Sequence, residues 1–182
     1  TVKTIGKNCF EECKSLKTIT LPSSVTKIED YTFAKCHSLT EIYIPSTVTS
    51  IGCKSFDQCR SLKKVSLPCS LKTIGESAFD NCTSIEEMKI PHSVIDIGSL
   101  AFNDCRSLNN LILNYSATEI KYKTFNRCYS LTKVAIPSSI SSIGKNAFEN
   151  SGIKSFISKS GVIKIDDFAF QKCDKLIKFK VN

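Results

Sequence analysis

The chain repeats one apolar–polar pattern on a fixed period. The segment Leu-x-x-Ile-x-Leu recurs at Leu16/Ile19/Leu21, Leu39/Ile42/Ile44, Leu62/Val65/Leu67, Ile85/Met88/Ile90, Leu108/Leu111/Leu113, Leu131/Val134/Ile136 and Leu176/Phe179/Val181. The last two apolar positions flank one polar residue, which is the period of a half-buried strand. One such strand every 23 residues, always in the same register, predicts a parallel sheet running along a stacked array. At about 4.8 Å per strand, eight strands would span an arc of roughly 34 Å. All five prolines, at 22, 45, 68, 91 and 137, directly follow a strand. Proline has no N–H to continue the ladder, so pairing should end there.

The rest of the unit is equally periodic. Ile5, Ile28, Ile51, Ile74, Ile97, Ile120, Ile143 and Ile165 hold one position without exception, and glycine follows five of them. Glu29, Lys121 and Asp166 replace that glycine elsewhere, so positive φ is not compulsory at the site. Phenylalanines at 10, 33, 56, 79, 102, 125, 148 and 170 follow, each preceded by a small residue. Cysteine stands three residues later in seven of the eight units; only Ser151 departs. Phe and Cys three apart share one face of a helical turn, which places a short helical turn on the convex side, with strands on the concave side. A single unit cannot cover its own apolar faces, so the units must come as an array.

The stretch from Leu62 to Ile85 carries Leu-x-x-Val-x-Leu-Pro-x-x-Leu-x-x-Ile-Gly-x-x-Ala-Phe-x-x-Cys-x-Ser-Ile. It resembles the BspA-like, or treponemal-type, leucine-rich repeat, and the resemblance covers essentially the whole chain. The resemblance implies a curved, right-handed leucine-rich-repeat solenoid of the α/β superhelix type. It also implies a secreted or cell-surface adhesion module that recognises a host matrix or cell-surface protein. The chain departs from the pattern at Asn114 in place of Pro, at Ala117 in place of Val, and at Ser151-Gly152-Ile153, one residue shorter than Cys-x-Ser-Leu. Residues 1–182 read as a single domain of about eight repeats. The sequence opens and closes inside a repeat, so it is expected to be an excised piece of a longer array. Uncapped ends of that kind permit self-association.

Composition narrows this picture. The net charge of +8 is spread over scattered lysines with no arginine-rich cluster, which argues against a nucleic-acid partner. No apolar run reaches the roughly 18–20 residues of a membrane helix, so no membrane insertion is expected from this segment. Ten cysteines in a short secreted chain would suggest a disulfide framework. Their positions override the count: the ladder cysteines suit buried small hydrophobes stacked as a thiol spine, with Cys9 in the small position and Cys53 and Cys69 exposed. The spacing matches no metal motif, and no metal or cofactor is expected. His37 and His92 fall at polar surface positions with no carboxylate or serine set beside them, so no enzyme is predicted.

The candidate site is the outward row of strand side chains. One column reads Thr18, Glu41, Lys64, Glu87, Asn110, Lys133, Ser155, Lys178, and the next Thr20, Tyr43, Ser66, Lys89, Ile112, Ala135, Ile157, Lys180. Glu41, Lys64 and Glu87 alternate in sign and are expected to pair laterally. Tyr43, Ile112 and Ile157 put apolar groups on solvent-facing positions, which marks a partner surface. The partner-binding set is therefore Glu41, Tyr43, Lys64, Glu87, Lys89, Ile112, Lys133, Ile157, Lys178 and Lys180. The alternative is an intracellular scaffold binding another folded protein, toward which the abundant thiols lean.

Overall fold

Most coils carry two strands where the sequence predicts one. The computed structural model describes residues 2–114, 116–158, 161–162 and 164–181. Seven of the eight predicted strands form: β2 (Glu41–Tyr43), β4 (Lys64–Ser66), β6 (Glu87–Ile90), β8 (Asn110–Leu113), β10 (Lys133–Ala135), β12 (Ser155–Ser158) and β14 (Lys178–Val181), while Leu16–Leu21 is not a strand. A second row of two-residue strands ends on the recurrent isoleucines: β1 (Lys27–Ile28), β3 (Ser50–Ile51), β5 (Thr73–Ile74), β7 (Asp96–Ile97), β9 (Glu119–Ile120), β11 (Ser142–Ile143) and β13 (Lys164–Ile165). Every pairing is parallel, so the molecule is a parallel β-solenoid of the leucine-rich-repeat type.

The rows are not continuous. The long strands form three separate groups, β2–β4, β6–β8 and β10–β12–β14, rather than the single sheet expected. The short row splits between β7 and β9 into groups of four and three. Asn114, which replaces a proline near that split, uses the N–H proline lacks and donates to the carbonyl of Ile90 at 3.1 Å. The short coil at 151–153 does not disturb register. β12 pairs with β10 at an offset of 22 residues (Val134↔Phe156), and β14 pairs with β12 at 23 (Phe156↔Phe179). Gly152 makes this close fit, because a Cβ there would meet the carbonyl oxygen of Tyr129.

The predicted helical turns are absent: no helix occurs among the described residues. Each coil instead makes consecutive tight turns, with two residues four apart at positive φ, such as Tyr31 (56°) and Lys35 (60°), or Lys123 (52°) and Arg127 (58°). Alternate amides then point in different directions. Ala34 and Cys36 donate within the coil to Tyr31 and Phe33, at 3.1 Å each, while Phe33 and Lys35 donate across to Ser55 and Asp57 at 2.8 and 2.7 Å. A helix would spend those amides internally and leave the coils unlinked on this side.

The phenylalanines stack inside these turns. Phe10, Phe33, Phe56, Phe79, Phe102, Phe125 and Phe148 follow one another with ring centroids 5.0–5.6 Å apart, and Phe148 continues to Phe170 at 5.4 Å. Phe156 of the irregular coil packs edge-on against Phe148 and Phe170. Beside the rings runs a polar column in which Asn126 donates to Asn103 and Asn103 to Asp80, each at 2.7 Å. The ladder thiols at 36, 59, 82, 105, 128 and 173 are buried and unpaired with one another. Cys13, expected in the same buried row, is exposed, because no earlier coil of this sequence covers it. Cys9 is exposed for the same reason, and Cys53 and Cys69 are exposed as expected.

Candidate functional site

The long strands set the predicted binding residues in two outward columns, as their alternation requires. Glu41 lies opposite Lys64 and Tyr43 opposite Ser66; Glu87 faces Asn110 and Lys89 faces Ile112. Further along, Lys133 pairs with Ser155 and Ala135 with Ile157, then Ser155 with Lys178 and Ile157 with Lys180. Nine of the ten predicted residues are exposed, and Ile112 is half-buried. Among the described residues Tyr43 is the most open aromatic, at 71% exposed. Ile157 stays on the outward column at 38%, so the irregular coil does not turn it into the core.

The expected lateral ion pairs are not formed. Among the described residues the salt bridges are Lys7–Asp30, Lys14–Glu12, Lys35–Glu12, Arg106–Asp104, Lys121–Asp96 and Lys164–Asp166. None involves Glu41, Lys64 or Glu87. These charges point to solvent without neutralising one another, so they remain available to a partner. Exposed pairs gain about 0–1 kcal/mol, too little to hold such flexible side chains together.

Five of the ten residues come together. Glu41, Tyr43, Lys64, Glu87 and Lys89 line a recess of about 780 Å³ on the strand face, with Lys63 and Cys69 on its rim. It lies across the gap between β4 and β6, where the long row is unpaired. Val65 and Leu67 are half-buried there, although their equivalents Ile42, Ile44, Met88 and Ile90 are buried. The gap thus bares core side chains of one coil as an apolar floor under a charged rim. Sequence reading placed Val65 and Leu67 in the core and missed this. The only signal was a smaller residue, Val65, at a position that neighbouring units fill with Ile or Met. Ile112, Lys133, Ile157, Lys178 and Lys180 lie outside this recess, further along the array.

Among the described residues nothing comparable gathers titratable side chains. Among the described residues, no group of three or more His, Cys, Asp or Glu could hold a metal ion. His92 is exposed, but His37, expected at the surface, is half-buried, with its Nε2 enclosed and lacking a bonded partner. The buried thiols are not activated nucleophiles, since burial pushes Cys36 up to about 11 and raises Cys82 and Cys105 well above the ordinary thiol range. No helix of the described residues is long and apolar enough to cross a membrane.

The profile of the BspA-type leucine-rich repeat region matches residues 1–109 and 73–182, with six copies. The chain belongs to the BspA-type leucine-rich repeat family. Solved structures of similar proteins share its fold. A leucine-rich repeat protein from Bacteroides ovatus superposes with a TM-score of 0.78 at 27% identity, covering 96% of this chain and 57% of its own. The leucine-rich repeat protein of T. pallidum gives 0.77 at 30% identity, covering 82% and 70%. A leucine-rich cell surface protein from Faecalibacterium prausnitzii gives 0.67 at 27% identity, covering 96% and 62%. This BspA-type chain therefore spans little more than half of the Bacteroides ovatus protein. No curated protein matches it.

Proposed function

We propose that this BspA-type array is a non-catalytic protein-binding module that holds a protein partner at a cell surface on its concave strand face. It forms one domain of about eight repeats. The observation that carries this reading is the recess over the β4–β6 gap, with Tyr43 open on its wall and Val65 and Leu67 on its floor. An aromatic beside a partly desolvated pocket, ringed by unpaired charges, has the make-up of an interface centre. The likeness to a leucine-rich cell surface protein supports the surface location.

The thiols do not decide between this reading and an intracellular scaffold. Six are buried within the turns and would be protected from exchange in either compartment. The test is binding of the labelled protein to immobilised cell-surface extract, comparing Tyr43→Ala combined with Lys89→Glu against wild type. A drop of about tenfold or more with an unchanged melting temperature supports the recess. Unchanged binding removes it as the contact site.

A further inference from the structure

The strand face is not uniform in charge. Around the recess Glu41 and Glu87 stand among lysines. From β8 to β14 the same two columns carry no acidic residue: Asn110, Lys133, Ser155 and Lys178 form one, and Ile112, Ala135, Ile157 and Lys180 the other. A row with lysine in alternate coils, Lys133 and Lys178, thus runs beside a row that is apolar for three successive coils. Ala135 and Ile157 are exposed, and Ile112 is half-buried. The two rows are two residues apart on each strand, or about 6.6 Å at roughly 3.3 Å per residue.

We infer that the face between β8 and β14 takes an acidic protein segment in extended form, laid across the strands with carboxylates and apolar side chains alternating. An extended segment sends successive side chains to opposite sides. Running along the array between the rows, it presents every second residue to Lys133 and Lys178 and the others to Ile112, Ala135 and Ile157. Lys180 closes the far end of the apolar row. The recess suits the same segment less well, because Glu41 and Glu87 there offset most of the charge of Lys63, Lys64 and Lys89. A sulfated glycan would satisfy the lysines but has no apolar group to cover the isoleucines, which favours a protein segment. This deepens the binding-module reading and rests on it, yet it uses different residues from the recess, so the two can fail separately.

The test uses the whole chain and fluorescence anisotropy with three probes: an octapeptide alternating glutamate and leucine, octaglutamate, and a heparin fragment. The alternating peptide is expected to bind more tightly than octaglutamate and to weaken as salt is raised. Lys133→Glu with Lys178→Glu should weaken it by about tenfold. Ile157→Ser should weaken it by roughly threefold while leaving octaglutamate unchanged, and Tyr43→Ala should have no effect. Equal binding of octaglutamate, preference for heparin with no effect of Ile157→Ser, or indifference to the lysine reversals would each overturn the inference. All four positions point away from the core, and thermal melts of the variants confirm that folding is retained.

Discussion

The Cys82 thiol donates to the carbonyl oxygen of Phe56, 26 residues earlier, at 3.0 Å. The same bond repeats from Cys36 to Phe10, Cys59 to Phe33, Cys105 to Phe79, Cys128 to Phe102 and Cys173 to Phe148, at 3.1–3.4 Å. The carbonyls of Phe10, Phe33, Phe56 and Phe79 each also accept the amide of the cysteine three residues on, as from Cys36 to Phe33 at 3.1 Å. One oxygen therefore ties a turn to itself and to the next coil. That double role explains why cysteine recurs: the site needs a small apolar group that still has a proton to donate.

Thiol counting tests the ladder. In the folded 182-residue chain Cys9, Cys13, Cys53 and Cys69 should react rapidly with a disulfide reagent, and the other six slowly. Unfolding in denaturant should release all ten. A shortfall under denaturant would mean that some cysteines are bridged. Cys82→Ala should cost about 1–2 kcal/mol by losing the bond and leaving a small void. Cys82→Ser should cost less than Cys82→Ala, because the hydroxyl keeps the donor; a serine already stands in the row at Ser151, whose hydroxyl shares a hydrogen bond with the Cys173 thiol at 3.3 Å.

The ring stack should dominate stability. Phe79 is wholly buried between Phe56 and Phe102, so Phe79→Ala is expected to cost about 3–5 kcal/mol in denaturant unfolding. Tyr43→Ala, on the open strand face, should cost well under 1 kcal/mol. Equal losses at the two positions would contradict the assignment of scaffold and surface.

The turns store strain that can be relieved. Arg127 is exposed at φ 58°, a region costing a non-glycine residue roughly 1–2 kcal/mol, though asparagine tolerates it. Arg127→Asn should stabilise the protein by about 0.5–1 kcal/mol. Arg127→Val should destabilise it, because a branched Cβ suits positive φ worst. Identical melting temperatures for the two variants would argue against the turn geometry.

Much of this architecture was legible in the residues. The Leu-x-x-Ile-x-Leu spacing located every long strand but β12, whose coil departs from it, because alternation in register leaves one side free; at Leu16–Leu21 it predicted a strand that does not form. The second strand row was missed, since two residues ending at Ile28 or Ile51 are too short to show any period. The turn side was misread as helical because Phe33 and Cys36 stand three apart in either geometry. What separates the two is where the amides of Phe33 and Lys35 go, and that depends on the next coil. Of the binding residues, the outward columns followed from parity alone. The recess did not, since it arises from a break in pairing between β4 and β6 rather than from any residue type.

Acid should act on the polar column beside the rings. Burial pushes the Asp80 carboxyl up to about 6, against the opposing pull of the Asn103 amide, with Asp57 and Asp104 adding to the rise. The folded protein then takes up a proton near pH 6 that the unfolded chain does not bind until about pH 4. This group's contribution to stability is therefore present in full below pH 4 and lost as pH rises through 6. Glu12 and Asp30, held low by hydrogen bonds from Lys35 and Lys7, act in the opposite sense as pH falls further. Subtracting the stability–pH curve of Asp80→Asn from that of wild type should leave a difference falling between pH 4 and 6. A flat difference would refute the raised carboxyl.

Charge reversal on the two sides tests the central claim most directly. One variant carries Lys64→Glu, Lys89→Glu and Lys133→Glu on the strand face, and the other Arg127→Glu and Lys172→Glu on the turn side. Both are measured for binding to the same immobilised cell-surface extract, with melting temperatures as the folding control. The strand-face variant should lose binding by about tenfold or more, while the turn-side variant should bind as wild type does. Binding lost only on the turn side, or equally on both, would contradict recognition through the strand face.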